Sequence, residues 1–277
     1  MSGRVGQPCD LRHWGMAVSI ALVRAPGPRL AEGLVTHIER AEVDLAVARS
    51  QWGDYVDAMR TSGWAIEEVD GIDECPDAVF IEDAAVVFGD QAVLTRPGAT
   101  SRVAEVAGLR LPLAECGLDV VELSAGTLDG GDVLKIGSEV WVGVGGRTNA
   151  MGVASLVSLV EPYGWTVRPV AVTKVLHLKS AVTALPDGTV IGFPPLVDDP
   201  AVFERFRAVE EESGSHVVIT GPDRLLMAAS APRTAAMLRA EGYEVDVVDI
   251  SEFEKLEGCV TCLSIRVRGG GTGSLTK

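Results

Sequence analysis

Apolar and polar positions in this chain alternate in short blocks, and the blocks recur. Pairs of apolar runs are joined by brief turns of Gly, Asp, Ser or Pro: 84–88 and 92–95 around Gly89-Asp90, 133–136 and 140–144 around Gly137-Ser138, 181–185 and 189–193 around Pro186-Asp187-Gly188, and 217–220 and 224–228 around Gly221-Pro222-Asp223. Such turns supply the backbone geometry of a hairpin, and the flanking runs supply its strands. Turn positions 89, 137, 187 and 222 lie 48, 50 and 35 residues apart, which leaves room for one helix in most units. Helical periodicity is present over 34–59, 101–106, 150–159 and 231–238. Two further strands, 17–22 and 262–267, have no hairpin partner of their own. Pairing them with each other closes a ring of about five units and removes two exposed edges; an open mixed sheet with flanking helices is the alternative.

Composition narrows the function classes. With 277 residues, 47% hydrophobic and 23% charged, the chain can bury a substantial core as one large domain or two small ones, which excludes fibrous and low-complexity proteins. Its 24 basic and 39 acidic residues give a net charge of −15. An acidic surface repels nucleic-acid phosphate and anionic lipid and draws small cations, so neither nucleic acid nor membrane is expected as a partner. No apolar run reaches the roughly 18 residues that span a bilayer. The stretch 16–23 is cut short by Arg24 with no cleavage site after it, and reads as a buried strand. Five cysteines, Cys9, Cys75, Cys116, Cys259 and Cys262, are an odd and sparse set that points to a reducing cytoplasm and at least one free thiol. Neither Gly143-Val144-Gly145-Gly146 nor Gly269-Gly270-Gly271 has dinucleotide-binding spacing, so no nucleotide cofactor is expected.

Cys259 and Cys262 form a C-x-x-C at the start of the last predicted strand. Zinc would need a second pair of ligands, and a redox couple usually opens a helix, so two buried structural thiols are the plainest reading. Among the histidines, His13, His37 and His216 read as surface residues. His177 lies in the apolar stretch Val175-Leu176-His177-Leu178-Lys179-Ser180, where an imidazole is either a satisfied core residue or one held for proton transfer. Asp77, Glu82 and Asp83 precede one hairpin of the repeat, and Asp129 and Asp132 precede the next. In a ring, equivalent positions converge on the axis, so these acids and His177 would face one cavity. Gathered carboxylates repel unless a cation neutralises them; a metal would do so, and a guanidinium matches them in plane and in hydrogen bonding. For Asp129 and Asp132, shaping a turn is the competing reading.

Six separated motifs complete the picture: Val79-Phe80-Ile81-Glu82-Asp83, Thr95-Arg96-Pro97-Gly98-Ala99, Leu128-Asp129-Gly130-Gly131-Asp132-Val133-Leu134, Arg147-Thr148-Asn149, Leu176-His177-Leu178-Lys179-Ser180 and Thr261-Cys262. In that order they resemble the dimethylarginine dimethylaminohydrolase family, over about residues 17–268. The resemblance implies a five-bladed pseudo-symmetric α/β propeller, the pentein fold, of repeated ββαβ-type units. It would form a single catalytic domain over 1–277, with a core of about 17–268 and flanking tails 1–15 and 269–277. It also implies hydrolysis of Nω-methylated arginines to citrulline and a methylamine, with no cofactor and no metal, the methylated arginine being the small-molecule partner and homo-oligomerisation left open. Carried over by position, Cys262 is the nucleophile, His177 the general acid and base, and Asp129 its acidic partner. Asp83 holds the guanidinium beside Asp129, Asp77 and Glu82 are further substrate-site acids, and Arg102 and Arg147 clamp the carboxylate. The chain departs from the family at Cys259, which replaces an aliphatic residue, and in the loop 25–29, where family members cover the substrate. Two other functions stay in view. An arginine deiminase-like hydrolase would carry an acid where this chain has Lys179, and a non-catalytic guanidino-binding scaffold would have no need of Cys262, His177 and Asp129 together.

Overall fold

The structure is a computed structural model that describes residues 18–269. Its strands, in chain order, are β1 (Ile20–Val23), β2 (Ala65–Glu68), β3 (Ala85–Phe88), β4 (Gln91–Leu94), β5 (Asp119–Glu122), β6 (Val133–Ile136), β7 (Glu139–Val144), β8 (Thr166–Ala171), β9 (Val182–Ala184), β10 (Val190–Gly192), β11 (Phe206–Ala208), β12 (Val217–Ile219), β13 (Arg224–Ala228), β14 (Glu244–Val248) and β15 (Ile265–Val267). They form five three-stranded sheets on one plan: a first strand pairs antiparallel with a middle strand, which pairs parallel with a third. Four sheets take their strands consecutively. The fifth takes its first strand, β15, from late in the chain, setting Ala21 opposite Arg266 and Leu22 opposite Ile265, while β1 pairs parallel with β2. The ring therefore closes, and the open mixed sheet is excluded; Ala17, expected in the first strand, lies outside the described residues.

Parallel neighbours need a crossover, and four of the five units use a helix: α1 (Leu45–Thr61), α2 (Arg110–Glu115) preceded by a 3₁₀ segment (Thr100–Val106), α3 (Ala150–Val160) and α5 (Pro232–Ala240). The two remaining helices are single turns, α4 (Leu178–Ala181) and α6 (Ser251–Glu254). Between β10 and β11 only the 3₁₀ turns Pro194–Leu196 and Pro200–Val202 occur, which accounts for the short third spacing in the repeat. The helix expected over 34–59 begins later. The Asp44 carboxylate caps α1 by accepting from the Ala46 and Val47 N–H groups, while the N–H groups of Leu34, Thr36 and His37 go to the distant carboxylates of Asp77 and Glu257. Residues 34–37 are thus tied down as a loop.

The first strands β3, β6, β9, β12 and β15 line a central channel. The residues just before them converge at one end of it: the 3₁₀ turn Ile81–Ala84, Gly130–Asp132, His177 ahead of α4, and the turn holding Cys259 and Cys262. Cys262 precedes the last strand instead of opening it, as Ile265 begins β15. His216, expected at the surface, is buried ahead of β12 and donates from Nε2 to the Ser180 carbonyl at 2.9 Å. Among the described residues no helix is long and apolar enough to cross a membrane.

Candidate active site

The carboxylates around His177 arrive from two of the turns that precede first strands, and His177 itself from a third. His177 Nε2 meets Asp129 Oδ2 at 3.0 Å, and Nδ1 lies 3.8 Å from Asp83 Oδ1. Asp129 is wholly buried; its Oδ1 accepts from the Gly98 N–H at 2.7 Å, and its own N–H donates to Thr148 Oγ1. Thr148 in turn donates to Asp132 Oδ2 at 2.6 Å, and Asp132 Oδ1 accepts from the Leu178 N–H, so Asp132 fixes the backbone that carries the imidazole. A Cβ on Gly131 would stand 2.7 Å from both Asp83 Oδ1 and His177 Nδ1, so only glycine fits, and its N–H donates to Asp83 Oδ1 at 2.8 Å. Burial, the largest influence on His177, pushes its pKa down; the carboxylates of Asp83, Asp129 and Asp132 outweigh it and raise the pKa to about 9. Burial likewise pushes Asp132 up, to about 6, even against His177, Thr148 and the Leu178 N–H. Asp83 is held well below the carboxylate range because His177, Arg102 and the Gly131 N–H overcome its burial.

A small pocket beside this network is walled by Asp77, Phe80, Asp83, Arg102, Arg147, His177 and Cys262 and roofed by Leu34, Leu176 and Leu256 to Gly258. Its volume is about 10 Å³, the room of one water. Leu34 is held over it by Asp77, which accepts the Leu34 N–H at 3.0 Å; Thr36 and His37 are held by Glu257, a non-glycine residue at φ 59°. An amino acid needs more room than this, so its entry requires the lining to move. On the wall, Arg147 Nη1 is buried without a hydrogen-bond partner and 3.8 Å from Asp129 Oδ2. Cys262 Sγ lies 3.4 Å from Cys259 Sγ, which also meets Thr261 Oγ1 at 3.3 Å. Two thiols this close titrate as a pair. The thiolate formed first is held by the neighbouring S–H, so the first proton leaves below the ordinary thiol range and the second well above it. Asp83, Asp129 and His177 are the trio among the described residues whose ligand atoms, all within 4.8 Å of one another, could hold a metal. Each carboxylate in it already has N–H partners.

A chain from Streptomyces coelicolor described as N(G),N(G)-dimethylarginine dimethylaminohydrolase is 61% identical over 249 residues, 90% of this chain and 96% of the relative. The chain belongs to the dimethylarginine dimethylaminohydrolase family. A Pseudomonas aeruginosa relative of the same description is 32% identical, covering 88% of this chain and 98% of its own. A solved structure of the Pseudomonas aeruginosa dimethylarginine dimethylaminohydrolase, a mutant complexed with citrulline, superposes with a TM-score of 0.84 at 28% identity, over 92% of this chain and all of that one. The N-terminal domain of the arginine dihydrolase ArgZ, at 21% identity and TM-score 0.76, shares the fold. No protein-family profile matches.

Within this dimethylarginine dimethylaminohydrolase fold the expected residues divide. Cys262, His177, Asp77, Asp83, Arg102 and Arg147 line one pocket, whereas Asp129 and Glu82 do not. The expectation that Asp129 grips substrate beside Asp83 needs revision, because Asp129 is sealed behind His177 with both oxygens engaged. Glu82 is turned into the channel, where its Oε1 bridges Lys179 and Arg266 at 2.6 Å each. Arg102 is shared with a residue the sequence reading missed. Its Nε and Nη2 hold Glu105, Nη1 holds Asp83 at 2.5 Å, and Nη2 also reaches the Asp77 and Phe80 carbonyls, leaving one Nη1 N–H. The i, i+3 spacing of Arg102 and Glu105 was the available signal. Leu34 lines the pocket and no residue of 25–29 does; Arg29 is paired with Glu32 and the Glu74 carbonyl.

Proposed function

We propose that the chain hydrolyses Nω,Nω-dimethyl-L-arginine and Nω-monomethyl-L-arginine to L-citrulline and dimethylamine or methylamine. One observation carries the reading: a thiol, an ion-paired imidazole, two carboxylates and an orphaned guanidinium N–H share the wall of one pocket. The carboxylates suit a cationic guanidinium, and Arg147 suits the carboxylate at the substrate's other end.

A guanidinium carbon is a poor electrophile because its charge is delocalised, and a thiolate is a better nucleophile toward it than water. Cys262, as thiolate, adds to that carbon, with Asp83 presenting the face of the planar cation. His177 is protonated at neutral pH; Asp129 occupies Nε2, so Nδ1, facing Asp83 and the pocket, delivers the proton to the departing dimethylamine. The covalent thiouronium left on Cys262 is then attacked by water, whose proton returns to Nδ1. Collapse expels the thiolate and leaves the ureido group of citrulline. Asp129 holds the imidazolium, and Asp132 holds its backbone.

Substrate choice follows from the carboxylates that are free. Lys179 stands where a deiminase carries an acid and is turned out of the pocket toward Glu82, so a second unmethylated terminal nitrogen finds no carboxylate from that position. A charge-assisted hydrogen bond forgone in a dry site costs about 1.5–3 kcal/mol, or roughly 10–100-fold. A dimethylated nitrogen has no N–H to satisfy. Competition kinetics between the two methylated arginines and L-arginine, read as citrulline formed, test the reading; a preference for free arginine would place the chain among deiminases. The thiols of Cys75, Cys116, Cys259 and Cys262 are free, which suits a reducing cytoplasm.

A further inference from the structure

The channel itself forms a second cavity, separate from the candidate active-site pocket and running from Gly130 and Thr261 toward the hairpin turns. It holds about 710 Å³ and reaches the turns at Gly137, Pro186, Gly188, Gly221 and Pro222. Its charged lining is one-sided: Lys135, Lys179, Arg266 and Arg268 against the single acid Glu82. Glu82 compensates Lys179 and Arg266. Lys135 has the Val87 carbonyl and the face of Phe88, and Arg268 the Ile219 carbonyl at 3.0 Å and the face of Trp64, so neither meets a carboxylate. In a chain of net charge −15, a walled space lined by four cations and one acid is an exception, and its field draws anions.

We propose that this compartment binds a polyvalent oxyanion of the phosphate type, held by Lys135 and Arg268 and facing Lys179 and Arg266. The donors suit it: ammonium groups act as point charges on phosphate oxygens, and guanidinium groups grip them in pairs. The volume exceeds that of a lone phosphate and accommodates a diphosphate or a phosphate ester. Lys135 is exposed to the channel, and the protein around it together with the positive charges of Lys179, Arg266 and Arg268 lowers its pKa, a pressure that a bound anion relieves.

The site is independent of the catalytic reading, and its test reads binding. Calorimetric titration of the full chain with inorganic pyrophosphate and with inorganic phosphate, at ionic strength matched with chloride, is expected to show pyrophosphate binding the tighter. Lys135→Met keeps the aliphatic stem and should weaken pyrophosphate about tenfold or more. Arg268→Gln should weaken it similarly, and Arg147→Met, at the other pocket, should not. No pyrophosphate binding at millimolar concentration, affinity unchanged in Lys135→Met, or binding lost in Arg147→Met would each overturn the proposal.

Discussion

Asp129→Asn is the substitution that isolates what holds the proton on His177. The side chain keeps its size, and its oxygen can still accept from the Gly98 N–H; the amide nitrogen then faces His177 Nε2, where Asp129 Oδ2 sits at 3.0 Å. An amide N–H can donate only to an unprotonated ring nitrogen, so the variant favours neutral imidazole where the carboxylate favours imidazolium. Raising the pKa from 6.5 to about 9 corresponds to about 3 kcal/mol of preference for the charged form in the folded state. Of the three carboxylates responsible, Asp129 alone is hydrogen-bonded to the ring. Losing that bond removes about 1.5 kcal/mol, and His177 should titrate about tenfold more readily, near pH 8. With four histidines in the chain, ¹³C-labelled histidine resolves this by NMR, and the alkaline limb of kcat/KM should move down alongside. The stability sign is fixed as well. A raised histidine pKa stabilises the fold fully below about pH 6.5 and stops doing so as pH climbs through 9, so the loss of stability in Asp129→Asn should shrink over that window. A wild-type His177 titrating near 6.5, or one unmoved by the substitution, would refute the reasoning.

Cys262→Ser should abolish citrulline formation with the fold intact, measured by product assay and circular dichroism, since a hydroxyl at neutral pH lacks the thiolate's nucleophilicity. Cys259→Ala should keep most activity but shift the pH dependence of Cys262 alkylation, because the S–H that stabilises the first thiolate is gone. Arg147→Ala should mainly raise KM, a carboxylate being held far from the reacting carbon; a fall in kcat alone would contradict that role. Gly131→Ala should cut kcat by about 10² or more by displacing His177 and Asp83, with KM less affected, as steady-state kinetics would show.

The hairpins were legible because their signals are local: an apolar run, a Gly or Asp turn, a second apolar run. Ring closure was legible because strands near 20 and 265 had no hairpin partner of their own. What escaped depended on groups far apart in sequence. Periodicity could not see that Asp77 and Glu257 would hold the backbone of 34–37 and delay α1 to its Asp44 cap. Nor could adjacency show that Glu82 and Asp83, neighbours on one 3₁₀ turn, send their carboxylates in opposite directions along the axis. The motifs brought Cys262 and His177 to one pocket, but the division of labour between Arg102 and Arg147 rests on Glu105, a buried acid that no motif singled out.

Closure of the ring by β1 and β15 also sets an order of events. During synthesis the first four hairpins can pair as they emerge, whereas β1 must wait, with one edge open, for a strand more than two hundred residues downstream. Cys262 lies in the turn that immediately precedes that strand, and the Cys262 carbonyl accepts the Glu82 N–H at 3.2 Å, so the docking that seals the last edge is also the docking that brings sulfur to the pocket. A nascent or truncated chain would therefore carry most of the propeller without its nucleophile in place, and reactivity would appear only with the finished molecule.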